Sequence, residues 1–179
     1  MSEPTRGPRR TAKTRGTGLL MAWMDIDPVQ EDAFNRWYDE EQIMLAVPGF
    51  LSAARYVAIR GGPKYLAMYE LEDHRVLHRA AFLDSVGYQR PGFSGGAVGR
   101  NFLLNGYRQI FPARLNPIDS RIGPAPFMQM GRIDIAPAMR TSSTDWYNTA
   151  YIPGYLTVPG CPHARRYLAV EGHSKYLTV

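Results

Sequence analysis

The stretch Trp37-Tyr38-Asp39-Glu40-Glu41-Gln42-Ile43-Met44, followed by Val47-Pro48-Gly49-Phe50, has a second copy in the same chain. That copy is Trp146-Tyr147-Asn148-Thr149-Ala150-Tyr151-Ile152-Pro153, followed by Val158-Pro159-Gly160. The Trp-Tyr pairs lie 109 residues apart and the Val-Pro-Gly runs 111 apart, which puts one two-residue insertion between Tyr147 and Val158. Asp25 and Pro28 recur as Asp134 and Pro137 at the first offset. Arg55-Tyr56 recurs as Arg166-Tyr167, and Lys64-Tyr65-Leu66 as Lys175-Tyr176-Leu177, at the second. The order is kept throughout, which predicts a tandem repeat.

Working outward from the first copy, residues 19–26 form a short apolar run containing Trp23 and fit a buried strand. Asp27 is a good N-cap, Pro28 suits the first helical position and Gln30 sits where a capping-box partner would. The helix that follows has Phe34, Trp37, Tyr38, Ile43, Met44 and Val47 on one face, and Pro48-Gly49 stops it. Residues 50–59 and 64–71 read as strands joined by a turn at 60–63. Asp73 then caps a second helix running to about Val86, and after a Gly-rich loop at 91–99 a fourth strand is expected over 105–113.

The order is βαββαβ, the ferredoxin-like arrangement. The second copy predicts a strand at 127–135, a helix from about Ser142 with Asp145 as its capping-box partner, a strand at 161–170 and a turn at 171–174. Val179 falls inside what should be the third strand of that copy. Either the chain is a fragment, which is the favoured expectation, or another chain completes the fold. The expected fold class is α+β: two ferredoxin-like repeats, the second apparently incomplete, packed as a pseudo-dimeric α/β barrel around a cavity of small-molecule size. The expected divisions are a disordered basic tail at 1–17, a first repeat at 18–116 and a truncated second repeat at 117–179.

Composition narrows the function classes. Hydrophobic residues make up 45% of the chain and charged ones 21%, ordinary for a globular protein. Residues 1–16 carry Arg6, Arg9, Arg10, Lys13 and Arg15 against Glu3 alone, so nearly all of the net charge of +5 sits in a tail rich in Pro, Gly and Thr. Nucleic acid is therefore not an expected partner. No apolar run approaches the roughly 18 residues of a membrane span, and no membrane partner is expected. The single cysteine, Cys161, excludes an internal disulfide framework and suggests a reducing, cytoplasmic setting.

The repeated helix motif resembles that of the EthD-like and related proteins of the dimeric α/β-barrel superfamily. Their segment runs aromatic, a few residues, His-x-Pro, then Pro-Gly-Phe or similar before the second strand. The resemblance extends over both copies from about Leu19 onward. It implies a cavity between two sheets, in a superfamily that includes cofactor-free monooxygenases, polyketide cyclases, muconolactone isomerase-like enzymes, haem proteins and members with no known activity. The position commonly held by His is Gln42 in the first copy and Tyr151 in the second, and Met44 replaces the Pro that Pro153 keeps.

Alternation along the first strand separates Leu20, Ala22, Met24 and Ile26, suited to packing under helices, from Met21, Trp23 and Asp25. The counterparts of the second set are Met130, Arg132 and Asp134, and a set ending in Asp beside Trp or Arg suits a cavity. Asp25 and Asp134 are candidates for proton transfer, with a pKa raised by apolar neighbours, or else they are structural caps at a strand end. His163 breaks the repeat symmetry, replacing Ser52, and is a candidate general base. Tyr151, at the motif's histidine position, completes the catalytic candidates.

Arg55 and Arg166 are expected to bind a carboxylate or phenolate if they point into the barrel, or to make ordinary surface pairs if they do not. Tyr65, Tyr69 and Tyr176, on the third strands, are candidate donors to an oxyanion or half-buried sheet residues. With Trp23 and Arg132 they complete the substrate-binding candidates. No metal site is expected: Cys161 and His163 lack further ligands, and His74 and His78 lack a third.

Three readings follow. The first is an enzyme working without a tightly bound cofactor on an aromatic or polyketide-like molecule by proton transfer, as isomerase, cyclase, lyase or oxygenase. The second is a non-catalytic small-molecule binder or scaffold. The third is a haem protein, resting on the superfamily and His163. A homodimer is possible in each.

Overall fold

Strand β1 (Gly18–Ile26) is apolar along almost its whole length because both of its faces are covered. The computed structural model describes residues 15–40, 43–87, 99–113 and 124–179. After β1 come a 3-10 turn (Pro28–Gln30), helices α1 (Glu31–Glu40) and α2 (Ile43–Ala46), and the hairpin strands β2 (Phe50–Val57) and β3 (Tyr65–Leu71). A 3-10 segment (His74–His78), α3 (Ala80–Gly87) and the long strand β4 (Gly99–Phe111) follow. The second half holds β5 (Gly131–Ile133), a 3-10 turn (Pro137–Met139), α4 (Arg140–Trp146), a π-helical turn (Tyr147–Tyr151), α5 (Ile152–Leu156), β6 (Arg166–Glu171) and β7 (Tyr176–Thr178).

The protein is thus α+β, with its helices set against one seven-stranded antiparallel sheet of order β2-β3-β1-β4-β6-β7-β5. The sheet is curled into a half-barrel. Arg132 on β5 lies 4.5 Å from the ring of Trp23 on β1, although β4, β6 and β7 separate the two strands. In a flat sheet four strand spacings would hold them about 19 Å apart. The Tyr56 hydroxyl on β2 likewise donates to the carbonyl of Ala125, just before β5, at 2.8 Å.

Alternation on β1 feeds one cluster on the concave side and two under the helices. Leu19, Met21 and Trp23 point to the concave side with Leu66, Met68, Tyr107, Tyr167 and Leu177, and Met128 and Met130 pack over them. Leu20, Phe50, Leu71, Val76, Leu77 and Phe82 fill the space under the helices near α3, and Ile26, Phe34 and Tyr65 the space under α1. Truncating a fully buried side chain such as Met21 to Ala is expected to cost about 2–5 kcal/mol.

Local rules recur in both halves. Gly49 and Gly160 end the helices at φ +98 and +86, a region that costs any residue with a Cβ. Asp27 accepts from the Val29 amide as expected of a cap, but Ser142 caps nothing: α4 begins two residues earlier, after the 3-10 turn, and the Ser142 hydroxyl donates back to the Met139 carbonyl. β5 and β6 are shorter at their N-terminal ends than the apolar runs suggest, and β4 begins earlier than expected. Residues 1–14, 88–98 and 114–123, and with them most of the expected tail and of the expected Gly-rich loop, lie outside the described residues. Residues 15–17 do not: the Thr17 amide donates to the Glu72 carbonyl, and Gly16 fits only because a Cβ there would meet the Leu71 carbonyl oxygen at 1.6 Å. No helix among the described residues is long and apolar enough to cross a membrane.

The two halves are joined where β4 pairs with β6, from Gly106 opposite Glu171 to Phe111 opposite Arg166. Beside this seam a buried ion pair forms: the Arg165 guanidinium donates to Glu70 on β3, and also to Gln109 and to the Gly16 carbonyl, both at 3.2 Å. Removing one partner of a buried pair strands the other charge in a low-dielectric setting. Arg165→Met is therefore expected to lose about 3–5 kcal/mol in urea unfolding, and Glu70→Leu with Arg165→Met to recover most of it. A single-variant loss below about 1 kcal/mol, the range of exposed pairs, would contradict the pair's burial.

Candidate functional site

The concave face is apolar at its centre and polar at two ends. At one end the Arg132 guanidinium stacks on Trp23 at 4.5 Å, and its Nη2 donates to the His173 carbonyl at 3.3 Å. Among the described residues its buried Nε has no hydrogen-bond partner. The Asn105 amide donates to the Tyr107 hydroxyl at 2.8 Å and to the His173 carbonyl. Burial pushes the Tyr107 phenol up to about 12, with Arg132 pulling the other way, so Tyr107 stays a hydrogen-bond donor at neutral pH.

At the other end lie Glu70, Arg165, Gln109 and Tyr167. Glu70 gives one oxygen to Arg165, while its Oε2 and the Tyr167 hydroxyl, both buried, have no hydrogen-bond partner among the described residues. Burial raises the Tyr167 phenol above its ordinary value, and Arg165 lies over its ring at 5.3 Å. Arg15 is close enough to this group that burial and the like charge of Arg165 lower its pKa. The inner face therefore carries the guanidinium groups of Arg15, Arg132 and Arg165 against the carboxylate of Glu70.

Comparison with family models, curated proteins and solved structures gives no match. The function is accordingly argued from this geometry.

The residues singled out by sequence fall in five places. Trp23 and Arg132 meet in the interior. Arg55 and Arg166 do not face it. Each lies under a helix against a tyrosine of that helix and one of a third strand: Arg55 at 5.2 Å from Tyr38 and 5.9 Å from Tyr65, Arg166 at 4.4 Å from Tyr147 and 5.7 Å from Tyr176. Arg166 also donates to the Asn148 side chain at 3.0 Å. The cause is strand parity: Ala54, Tyr56 and Tyr167 take the inward positions beside these arginines. Tyr65 and Tyr69 share the helical side, where the Tyr65 hydroxyl meets Glu31 and the Tyr69 hydroxyl lies 3.0 Å from that of Tyr38.

Asp25 accepts from the Lys64 amide and from Asn101, each at 2.7 Å, and Asp134 accepts from the Lys175 amide at 2.6 Å. The same hydrogen bond thus ties the end of the first strand of each half to the start of the third, β1 to β3 and β5 to β7. The bonds from Asn101 and Lys64 hold the Asp25 carboxyl below its ordinary value, the reverse of the raised pKa expected for a proton donor. His163 is half-buried just before β6, and its carbonyl accepts from the Cys161 thiol at 3.4 Å.

Tyr151 sits on the outer side of the π-helical turn, its hydroxyl 3.3 Å from that of Tyr155. That hydrogen bond, with burial, pushes it up to about 12. With Trp146, Ala150, Gly154, Tyr155 and Val158 it lines an open groove of about 350 Å³ on the helical surface, away from the concave face. Among the described residues no group of three or more His, Cys, Asp or Glu is placed to hold a metal ion.

Sequence reasoning missed Glu70, Asn105, Gln109 and Arg165. A signal existed for two of them. Glu70 follows Leu66 and Met68 on the inward parity of β3, and Arg165 stands where the first copy has Ala54.

The Asp25 geometry sets a pH dependence. With its folded-state pKa below the ordinary 3.8, the carboxylate's stabilisation is full above that value and is lost as the pH falls through the lower folded-state value. Asp25→Asn is expected to flatten the acid limb of stability against pH in urea unfolding between about pH 2 and 5. Equal slopes for parent and variant would contradict the two hydrogen bonds.

Proposed function

We propose that this chain is a small-molecule protein of the dimeric α/β-barrel kind, built from two ferredoxin-like repeats, that receives an aromatic or polyketide-like acid on its curled inner face. The strand order β2-β3-β1-β4 of the first half, its match in β6-β7-β5, and the recurring Asp25 and Asp134 hydrogen bonds support the repeat. The observation that carries the ligand class is Arg132: a guanidinium over the Trp23 ring, with a buried Nε that has no hydrogen-bond partner among the described residues, suits a planar anion.

The ligand takes the place of Met128 and Met130, flexible side chains that now cover the inner cluster. Its carboxylate or phenolate pairs with Arg132, and the neutral Tyr107 donates to a developing oxyanion. Glu70, whose Oε2 has no hydrogen-bond partner among the described residues, offers a free acceptor oxygen at the other end of the same face, and a proton-transfer reaction there needs no tightly bound cofactor. A second reading, a non-catalytic binder, is supported by Asp25 and Asp134: both carboxylates are committed to backbone amides.

Titration of the protein with benzoate, salicylate and naphthoate, followed by tryptophan fluorescence, tests the site. Binding is expected, weakened about 10-fold or more in Arg132→Gln, as the loss of a charge-assisted hydrogen bond implies. Saturable binding that Arg132→Gln leaves unchanged, or none at all, would refute the assignment. Mass spectrometry of the recovered ligand separates the two readings: a converted ligand marks an enzyme, an unchanged one a binder.

A further inference from the structure

Along β1 the inward side chains step from Leu19 through Met21 to Trp23, and their partners on β3 are Glu70, Met68 and Leu66. Trp23 carries the Arg132 guanidinium over its ring, and Leu19 stands opposite Glu70. The two polar ends of the concave face therefore lie four residues apart on one strand, a separation of about 13 Å. The floor between them is apolar, with Met21 and Met68 both buried.

The Glu70 end has a chemistry of its own. Glu70 and Tyr167 are both fully buried. Neither Oε2 of Glu70 nor the Tyr167 hydroxyl has a hydrogen-bond partner among the described residues. A buried polar atom without a partner is uncommon and costly, so two at one place point to a group that supplies the missing bonds. The Glu70 carboxylate can only accept. Its other oxygen is taken by Arg165, whose guanidinium also lies 5.3 Å from the centre of the Tyr167 ring. Burial keeps the Tyr167 phenol protonated and so able to donate.

We propose that Glu70 and Tyr167 recognise a ligand hydroxyl, so that the acid held by Arg132 is a hydroxy acid with its hydroxyl at the far end of a rigid two-ring frame. The proposal rests on the reading of Arg132 as the partner of the ligand's carboxylate. One hydroxyl oxygen can donate to Glu70 and accept from Tyr167 at once. A ligand carbonyl has no proton for Glu70. An ammonium could not accept from Tyr167, and it would sit beside the guanidinium groups of Arg15 and Arg165. Length follows from the strand. With a hydrogen bond of about 2.8 Å at each end, the gap leaves about 7–8 Å for the ligand. Fused two-ring acids substituted across their long axis, such as 6-hydroxy-2-naphthoate, have that span. A single ring with the two groups side by side, as in salicylate, falls short of it.

Isothermal titration calorimetry of the 179-residue chain with 2-naphthoate and its 6-hydroxy, 3-hydroxy and 6-fluoro derivatives tests the proposal. The 6-hydroxy compound is expected to bind about tenfold or more tighter than 2-naphthoate, because an analogue without the hydroxyl leaves the buried groups of such a site unpaired. The 3-hydroxy compound keeps its hydroxyl beside the carboxylate and the 6-fluoro compound cannot donate, so both are expected to bind like 2-naphthoate. Tyr167→Phe removes an oxygen that has no partner among the described residues, and its thermal unfolding is expected to match the parent's. In that variant the preference for the 6-hydroxy compound is expected to fall about threefold or more, with the affinity for 2-naphthoate unchanged. Equal affinities for the 6-hydroxy compound and 2-naphthoate, both still weakened by Arg132→Gln, would overturn the inference and leave the acid-binding reading standing. So would a 6-fluoro compound bound as tightly as the 6-hydroxy one, or a preference that Tyr167→Phe leaves intact. No binding of any of the four would defeat the acid-binding reading, and this inference with it.

Discussion

The pairing of Glu70 with Arg165 is the constraint on which the two halves depend. Burying either charge alone would cost several kcal/mol, so neither strand can take its place in the concave layer without the other. The guanidinium also holds Gln109 on β4 and the carbonyl of Gly16 ahead of β1, and the Arg165 amide and carbonyl pair with Val179 beyond β7. One side chain from the second half thus contacts three segments of the first. The pair adds little net stability over an apolar substitute, and its contribution is register. A one-residue slip of β6 on β4 would turn Arg165 toward the helices and Arg166 into the core. The driving force comes from the apolar layer around it, where Tyr107, Tyr167 and Leu177 are fully buried.

The same parity sorts the arginines. Arg55 and Arg166 are conspicuous in the sequence because they recur with their tyrosines, and they recur because each half uses the same stack of guanidinium and two phenol rings to seat its first helix on its sheet. Recurrence therefore marks a part of the scaffold. The inner face instead differs between copies. Trp23 becomes Arg132 and Ala54 becomes Arg165, and these changed positions supply the Trp23–Arg132 stack and the ion pair.

Much of the architecture was legible in the sequence. The repeat offsets located matching strands, helices and left-handed glycines, and alternation on β1 put Met21 and Trp23 opposite Leu20 and Ile26. Less of the candidate site was legible, for two physical reasons. The inward direction of a strand residue depends on register, and bulges between Phe50 and Ser52 and between Trp23 and Asp25 interrupt the count. The Glu70–Arg165 contact joins residues 95 apart, a separation no local pattern encodes. Asp25 and Asp134 were seen as a recurring pair, but their partners, the Lys64 and Lys175 amides, are backbone groups that a sequence does not display.

If one sheet spans both halves through the β4–β6 seam and the Arg165 contacts, neither half can unfold alone. Differential scanning calorimetry of the intact chain tests this most directly. A single transition, with calorimetric and van't Hoff enthalpies equal, is the predicted result. Two resolved transitions, or a calorimetric enthalpy well above the van't Hoff value, would contradict a shared sheet and show two independently folding units.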